Sequence, residues 1–303
     1  MHQILLHIGQ YWKETDKRVL LVSSVFLGLF ITLNYTLHLD HYIDQQHQSI
    51  QFICWYAVFL SAFCFPYILQ HLFYKTDSIK KAKAVFLLII APMIFAWKMS
   101  AYYFFRITGF IEQDIFWNRI IYWPSKLLVI TACLFVLWKV FNQDQKFYGT
   151  GTNKFNSKPY WFMLLLMLPL IAAASTQPDF LQIYPKMQHL ENQSGFEFSW
   201  WQKILFQLSY GSDFIGIELF FRGFLILAFA EWFGKNAILP MALFYCTIHF
   251  GKPLGECISS FFGGMILGIV TYHTKSIWGG LIVHLGIAWL MELGGHIGNT
   301  LSN

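Results

Sequence analysis

Apolar residues in this chain come in long runs separated by short polar breaks. The runs lie near 19–39, 50–74, 84–107, 118–141, 160–176, 204–232, 236–250, 256–274 and 277–294. A helix rising 1.5 Å per residue needs about 20 apolar residues to cross roughly 30 Å of hydrocarbon. Backbone groups in lipid must be satisfied within the segment, which selects helices over open strands. The pattern predicts an all-α fold, a polytopic transmembrane helix bundle of 8–9 spans. The range reflects the run 236–250, which is short for a full crossing and can tilt, stop short or be shielded by neighbours.

Composition agrees with this pattern. Of 303 residues, 56% are hydrophobic and 12% charged, against about 25% charged in soluble domains. The net charge of +5 is spread over short loops, and no basic run with interleaved aromatics suggests nucleic-acid binding. The loop charges set an orientation instead. Lys13, Lys17 and Arg18 precede the first run; Lys75, Lys80, Lys81 and Lys83 follow the second; Lys139, Lys146, Lys154 and Lys158 follow the fourth. The intervening stretch 40–49 has no Lys or Arg, and 177–199 has only Lys186. Basic loops stay in the cytoplasm, so the N-terminus is expected inside and, with nine spans, the C-terminal tail outside. The run from Val19 reads as a retained signal anchor. The expected location is the inner (plasma) membrane of a bacterium, with lipid as the first partner.

The chain reads as two parts. Residues 1–159 are anchor helices that end in a polar linker with Gly149, Gly151 and Pro159; residues 160–303 hold most of the intramembrane polar groups. Lys98 and Lys126 are exceptions in the first part, and each has a stem long enough to snorkel to an interface. Cys54, Cys64, Cys133, Cys246 and Cys257 form no CxxC pair and read as buried apolar thiols. No internal repeat supports an inverted-repeat transporter.

The candidate chemistry lies in the second part. Glu218 and Arg222 are four residues apart, on one face of an α-helix, with the acid on the N-terminal side. They are either a structural ion pair or part of a site, because ionisable groups at membrane depth are costly and commonly functional. His249 ends the run Leu243–Ile248 just before the helix-stopping Gly251 and Pro253, and His284 lies well inside the last run. Glu256 opens a helix, where it is a cap favoured by the helix dipole or a site member. Glu292 is an end-of-helix charge or a site member, His273 an interface residue, and Gly264-xxx-Gly268 a packing motif. A carboxylate with raised proton affinity, two imidazoles and a guanidinium would suit hydrolysis, which needs a base for water and donors for an oxyanion.

Glu218-Leu-Phe-Phe-Arg222-Gly-Phe-Leu, Tyr245-xxx-His249 and a late His284 resemble the CAAX-protease and bacteriocin-processing (CPBP, or Abi) family of polytopic intramembrane peptidases. The likeness covers about 204–295. It implies that Glu218 stands at the second glutamate of a Glu-Glu-xxx-Arg motif, Arg222 at its arginine, His249 at the second-motif histidine and His284 at the third. The resemblance further implies that the first glutamate and the second-motif histidine activate water while the third motif binds the oxyanion. Two positions depart: Ile217 replaces the first glutamate and Ala288 the final asparagine. Isoleucine cannot move a proton, so Glu218, Glu256 or Glu292 takes that part, as in a variant subgroup, or the protein does not cleave.

The expectation is therefore an integral-membrane endopeptidase. It would hydrolyse a membrane-associated protein or peptide, lipidated or not, with catalytic residues Glu218, His249, His284, Arg222 and Glu256. The glutamate mechanism requires no cofactor. The family's metalloprotease label would imply zinc, with Glu218, His249 and His284 as ligands, although the chain has no HExxH. The alternatives are a catalytically impaired relative acting as a binding or immunity-type membrane protein, and a transporter.

Overall fold

The structure, a computed structural model, describes residues 2–75, 81–151 and 155–302. Lys80 and Lys154 of the basic loops lie outside the described residues. Every regular element among the described residues is helical. In order they are α1 (His2–Glu14), α2 (Lys17–Leu37), α3 (Leu39–Asp44), α4 (Gln48–Tyr74), α5 (Ala82–Ser100), α6 (Ile111–Phe141), α7 (Lys158–Ala174), α8 (Pro178–Leu181), α9 (Lys186–Ser194) and α10 (Trp200–Glu218). A π-helical stretch, Leu219–Ala228, follows, then α11 (Ala230–Phe233), α12 (Ile238–Thr247), α13 (Leu254–Thr274) and α14 (Trp278–Ser302). The fold is an all-α membrane bundle.

Among the described residues, six helices are long and apolar enough to cross a membrane: α2, α4, α5, α6, α13 and α14. Four of the predicted runs take a shorter or interrupted form. The run 160–176 becomes the 17-residue α7. The run 204–232 is divided, because α10 ends at Glu218 and the ladder widens to π geometry; Gln207, Ser209, Ser212 and Asp213 also dilute its apolar character. The run 236–250 becomes the ten-residue α12. The run 84–107 stops at Ser100, since the backbone beyond it finds side-chain partners outside a helix. Asn118 accepts from the Phe105 amide (2.7 Å), and Asp114 accepts from those of Ile107 (3.0 Å) and Thr108 (2.7 Å).

The chain packs as two compact units. The first comprises Met1–Tyr102, Cys133–Gly151 and Leu219–Ile277. Its centre is a cluster of aromatic rings: Phe95 lies 5.1 Å from Phe220, 5.0 Å from Phe221 and 5.9 Å from Phe244, and Phe59 lies 5.0 Å from Phe244. Such tilted and edge-on pairs add about 0.5–1.5 kcal/mol each beyond burial. α13 approaches α12 through the small-residue motif: a Cβ on Gly264 would lie 3.0 Å from the Tyr245 ring, and one on Gly268 would lie 2.7 Å from Met241. Gly223 admits the Tyr148 carbonyl, 2.6 Å from where a Cβ would stand.

This unit has two recognisable ends. At one, the Tyr35 hydroxyl donates to the Lys252 carbonyl (2.5 Å), and Asp40 lies against Gly251, whose φ of 80° makes the turn. At the other, Lys235 pairs with Glu14, the rings of His7 and His273 stack at 4.0 Å, and Arg18 donates to the Tyr74 hydroxyl (3.0 Å). Lys98, in the last turn of α5, is buried in this unit, its ammonium 5.0 Å over Phe95.

The second unit comprises Tyr103–Ala132, Thr152–Glu218 and Trp278–Asn303. Its organising feature is the glycine-rich face of α14. Tyr160 occupies the place of a side chain at Gly279, Leu164 that at Gly286, and Ser175 that at Gly294 and Gly298. Absent side chains let α7 and α14 approach closely, as small residues do in membranes. α10 joins α6 through Trp123, 5.4 Å from Phe206 and 5.2 Å from Tyr210, and through the Ser209 hydroxyl, which donates to the Ile120 carbonyl (2.6 Å). Lys126 is buried in this unit. Its ammonium donates to the Tyr122 hydroxyl (2.5 Å) and stands 3.7 Å over the same ring. Both ammonium groups therefore lie against aromatic faces, and a ring face offsets part of the cost of desolvating an ammonium.

Candidate active site

Glu218 is the last residue of α10, and His284 lies on the second turn of α14. Within the second unit, Glu218 Oε1 and His284 Nδ1 are 3.1 Å apart. Two helix faces make this contact. Gly280, one turn before His284, has no side chain, and Glu218 Oε2 occupies the place where a Cβ would project. Phe214, one turn before Glu218, sets its ring edge-on to the imidazole at 4.6 Å. An i, i+4 pair on α10 thus meets an i, i+4 pair on α14. The carboxylate is fully enclosed, whereas 13% of the imidazole remains accessible. Of the two groups, the imidazole is the one that meets the medium.

The first unit gathers Arg222, Tyr245 and His249. Arg222, in the π-helical stretch and fully buried, places its guanidinium 4.1 Å over the Tyr245 ring. Tyr245 lies 5.1 Å from Phe221, edge-on. His249, one turn after Tyr245, packs on the same ring at 4.8 Å, and its Nδ1 lies 2.9 Å from the Tyr245 carbonyl oxygen. The aromatic-xxx-His spacing thus has a physical reason: one ring supports the guanidinium and the imidazole.

Glu256 lies in the first turn of α13 and pairs with Lys252 at 3.8 Å. Glu292 lies within α14, buried. It accepts from the Lys186 amide (2.9 Å) and the Gln207 side-chain amide (3.0 Å) beside a cavity of about 440 Å³. Eight residues along a helix place Glu292 about 12 Å from His284, beyond sharing one water with it. Among the described residues, no group of three or more His, Cys, Asp or Glu side chains could hold a metal ion. Within the second unit, the Glu218–His284 pair supplies two of the three protein ligands that a catalytic zinc takes.

Comparison with known families meets this geometry in the same stretch of chain. Residues 199–290 match the family model Rce1-like, type II CAAX prenyl endopeptidase Rce1-like. The match agrees with the CPBP likeness of the motifs and encloses Glu218, Arg222, His249, Glu256 and His284. No curated protein and no solved structure matches the chain. The segment 199–290 is thus similar to CAAX-type proteases, in a helical chain with six described helices long and apolar enough to cross a membrane.

Two residues that shape the Glu218–His284 pair were not evident from sequence. Phe214 and Gly280 each stand one turn before a polar residue, and that spacing was the only signal available.

Proposed function

We propose that the protein is an integral-membrane endopeptidase in which Glu218 and His284 form the water-activating pair. The observation that carries this reading is the 3.1 Å contact between Glu218 and His284, with the carboxylate enclosed and the imidazole accessible. With a proton on Nδ1, the imidazole donates to the carboxylate, and the lone pair resides on Nε2. Nε2 then takes a proton from water as the water oxygen bonds to the scissile carbonyl carbon. The enclosed carboxylate stabilises the imidazolium that forms, as carboxylates do for paired imidazoles elsewhere. The same proton passes to the departing amine nitrogen as the C–N bond breaks. His249, Arg222 and Glu256 belong to the proposed machinery through the family resemblance. In its own unit, Arg222 is held over Tyr245 as a fixed positive group, the kind of group that stabilises developing negative charge.

The substrate class that fits is a membrane-borne protein or peptide, lipidated or not, met by lipid-embedded helices. A second reading has an observation of its own. Ile217 and Ala288 are both buried apolar residues where the family carries glutamate and asparagine, which favours a binding or immunity-type relative without cleavage.

A cleavage assay on the purified protein separates the two. His284→Ala and Glu218→Ala should each lower cleavage of a membrane peptide by about 10³-fold or more, in line with other paired acid–base groups. Glu218→Gln should leave residual activity with an altered pH profile. Activity that survives a chelator supports carboxylate–imidazole chemistry, and activity lost to the chelator and restored by zinc overturns it. No cleavage by the parent protein across lipidated and unlipidated peptides favours the second reading.

A further inference from the structure

We propose that Cys246 and Cys257 are a disulfide-forming pair that cross-links α12 to α13 at the outward end of those helices. Their Sγ atoms lie 3.8 Å apart, and both side chains are buried. Cys246 is in the last turn of α12 and Cys257 in the first turn of α13, so the two sulfurs flank the turn that carries His249, Gly251 and Pro253. A disulfide bond is about 2.05 Å long, so the sulfurs need to close by about 1.8 Å, a movement that side-chain rotation supplies. The backbone around them is already fixed. The Cys246 thiol donates to the Cys257 carbonyl (3.2 Å), and the Ser260 hydroxyl donates to the same oxygen (2.6 Å). All five cysteines are free thiols in the structure; Cys246 and Cys257 are buried with their sulfurs in contact, and Cys54, Cys64 and Cys133 are only partly buried.

The compartment follows from charge. The turn at 248–253 shares an end of its unit with the chain reversal at 38–47, through the Tyr35–Lys252 hydrogen bond and the seat of Asp40 on Gly251. The stretch 40–49 has no Lys or Arg and the turn at 248–253 has one, Lys252, paired with Glu256, whereas Lys13, Lys17, Arg18, Lys235 and Lys275 mark the opposite end. By the distribution of basic residues, the cysteine end faces outward, where disulfides form and persist.

The step is thiol–disulfide exchange. Cys246 and Cys257 each give up a proton and an electron as their S–S bond forms. The disulfide of an extracytoplasmic oxidoreductase breaks through a mixed-disulfide intermediate and takes both up as two thiols. Both cysteines are enclosed in the folded chain, so the exchange takes place as the α12–α13 hairpin emerges, before it packs. The cross-link then holds the His249 turn. The proposal does not rest on the peptidase reading.

Thiol labelling tests it on the full chain, purified from membranes without reductant and denatured in excess maleimide. The chain has five cysteines. The parent should take three labels before reduction and five after, with a linked peptide joining the segments that hold Cys246 and Cys257. The double variant Cys246→Ala/Cys257→Ala should take three labels either way. Reductant should lower the unfolding temperature of the parent by on the order of 5 °C and leave that variant unchanged. Five labels on the unreduced parent, or a linkage to any other cysteine, overturns the proposal. The labelling of the parent decides the matter even if the variant does not fold.

Discussion

At Gly280 the lack of a side chain admits one oxygen of Glu218 to the surface of α14, one turn before His284 meets the other oxygen. Gly→Ala inside a helix ordinarily stabilises by about 1 kcal/mol through propensity alone. Here the sign should reverse for function, since the added methyl takes the place of the carboxylate. Gly280→Ala is expected to lower kcat/KM for peptide cleavage by about 10²-fold, the scale of a 1 Å misplacement in a catalytic group. Gly263→Ala, with open space around its Cβ, should leave activity unchanged. Equal activity in both variants would show that the seat of Glu218 does not matter to the reaction. The ionisable members of the site were legible in the sequence because each is expensive at membrane depth. Gly280 was not, because α14 also uses glycines at 279, 286, 294 and 298 for helix packing. Nothing in the residue letter separates a glycine that seats a carboxylate from one that seats a tyrosine ring. Glu292 was left open between two roles for a related reason. Its position in the run was plain, but its donors come from Lys186 and Gln207, far away in sequence.

At the scale of elements, hydropathy located the long helices and missed α1. His2–Glu14 is too polar and too short to register as a span, yet Ile4 and Tyr11 are buried, and Tyr11 packs with Ile238 and Ile269. Leu5, Leu6 and Trp12 are exposed on the same helix, an arrangement suited to lying in a membrane interface. The end of α1 is tied by Glu14 to Lys235. That hydrogen bond, with a second from Gln10, holds the Glu14 carboxyl below its ordinary range. A carboxylate depressed in the folded state adds stability above its unfolded pKa and loses it as pH falls through its folded pKa. Amide exchange protection over 2–14 should therefore drop as pH falls through and below the ordinary carboxylate range. Lys235→Gln should remove that pH dependence and lower protection at neutral pH. A pH-independent α1 in the parent would mean that apolar contacts alone dock it. The break after Glu218 was equally illegible, because the residues that follow it are as apolar as any helix interior.

For the whole molecule, the number of crossings decides which side the C-terminus occupies. The six full-length apolar helices are an even number, and by themselves they would return the tail to the side of the N-terminus. Charge argues for an odd total. In the second unit, Tyr160 at the start of α7 packs on Gly279 at the start of α14, so the beginnings of these helices lie together, and α7 follows the basic stretch 139–158 in the sequence. At the other end of α14, Asn299 donates to the Tyr184 carbonyl (3.4 Å), placing the C-terminal turns beside the segment 177–199, whose only basic residue is Lys186. In the first unit, independently, the ends marked by Arg18, Lys235 and His273 lie together, opposite the turns at 38–47 and 248–253. Taken unit by unit, the charge rule would run α13 inward in the first and α14 outward in the second. That order requires α7, the α10–π segment and α12 to cross as well. The ten residues of α12 cover only about 15 Å, but all ten are buried within protein, and short segments are tolerated at membrane depth when they are shielded from lipid. A reporter active only outside the cytoplasm should therefore signal when fused after residue 303 or inserted at 194–195, and stay silent when fused at the N-terminus. A silent C-terminal fusion beside an active cytoplasmic reporter at the same site would restore the even count and place α12 as a segment that enters the bilayer and returns.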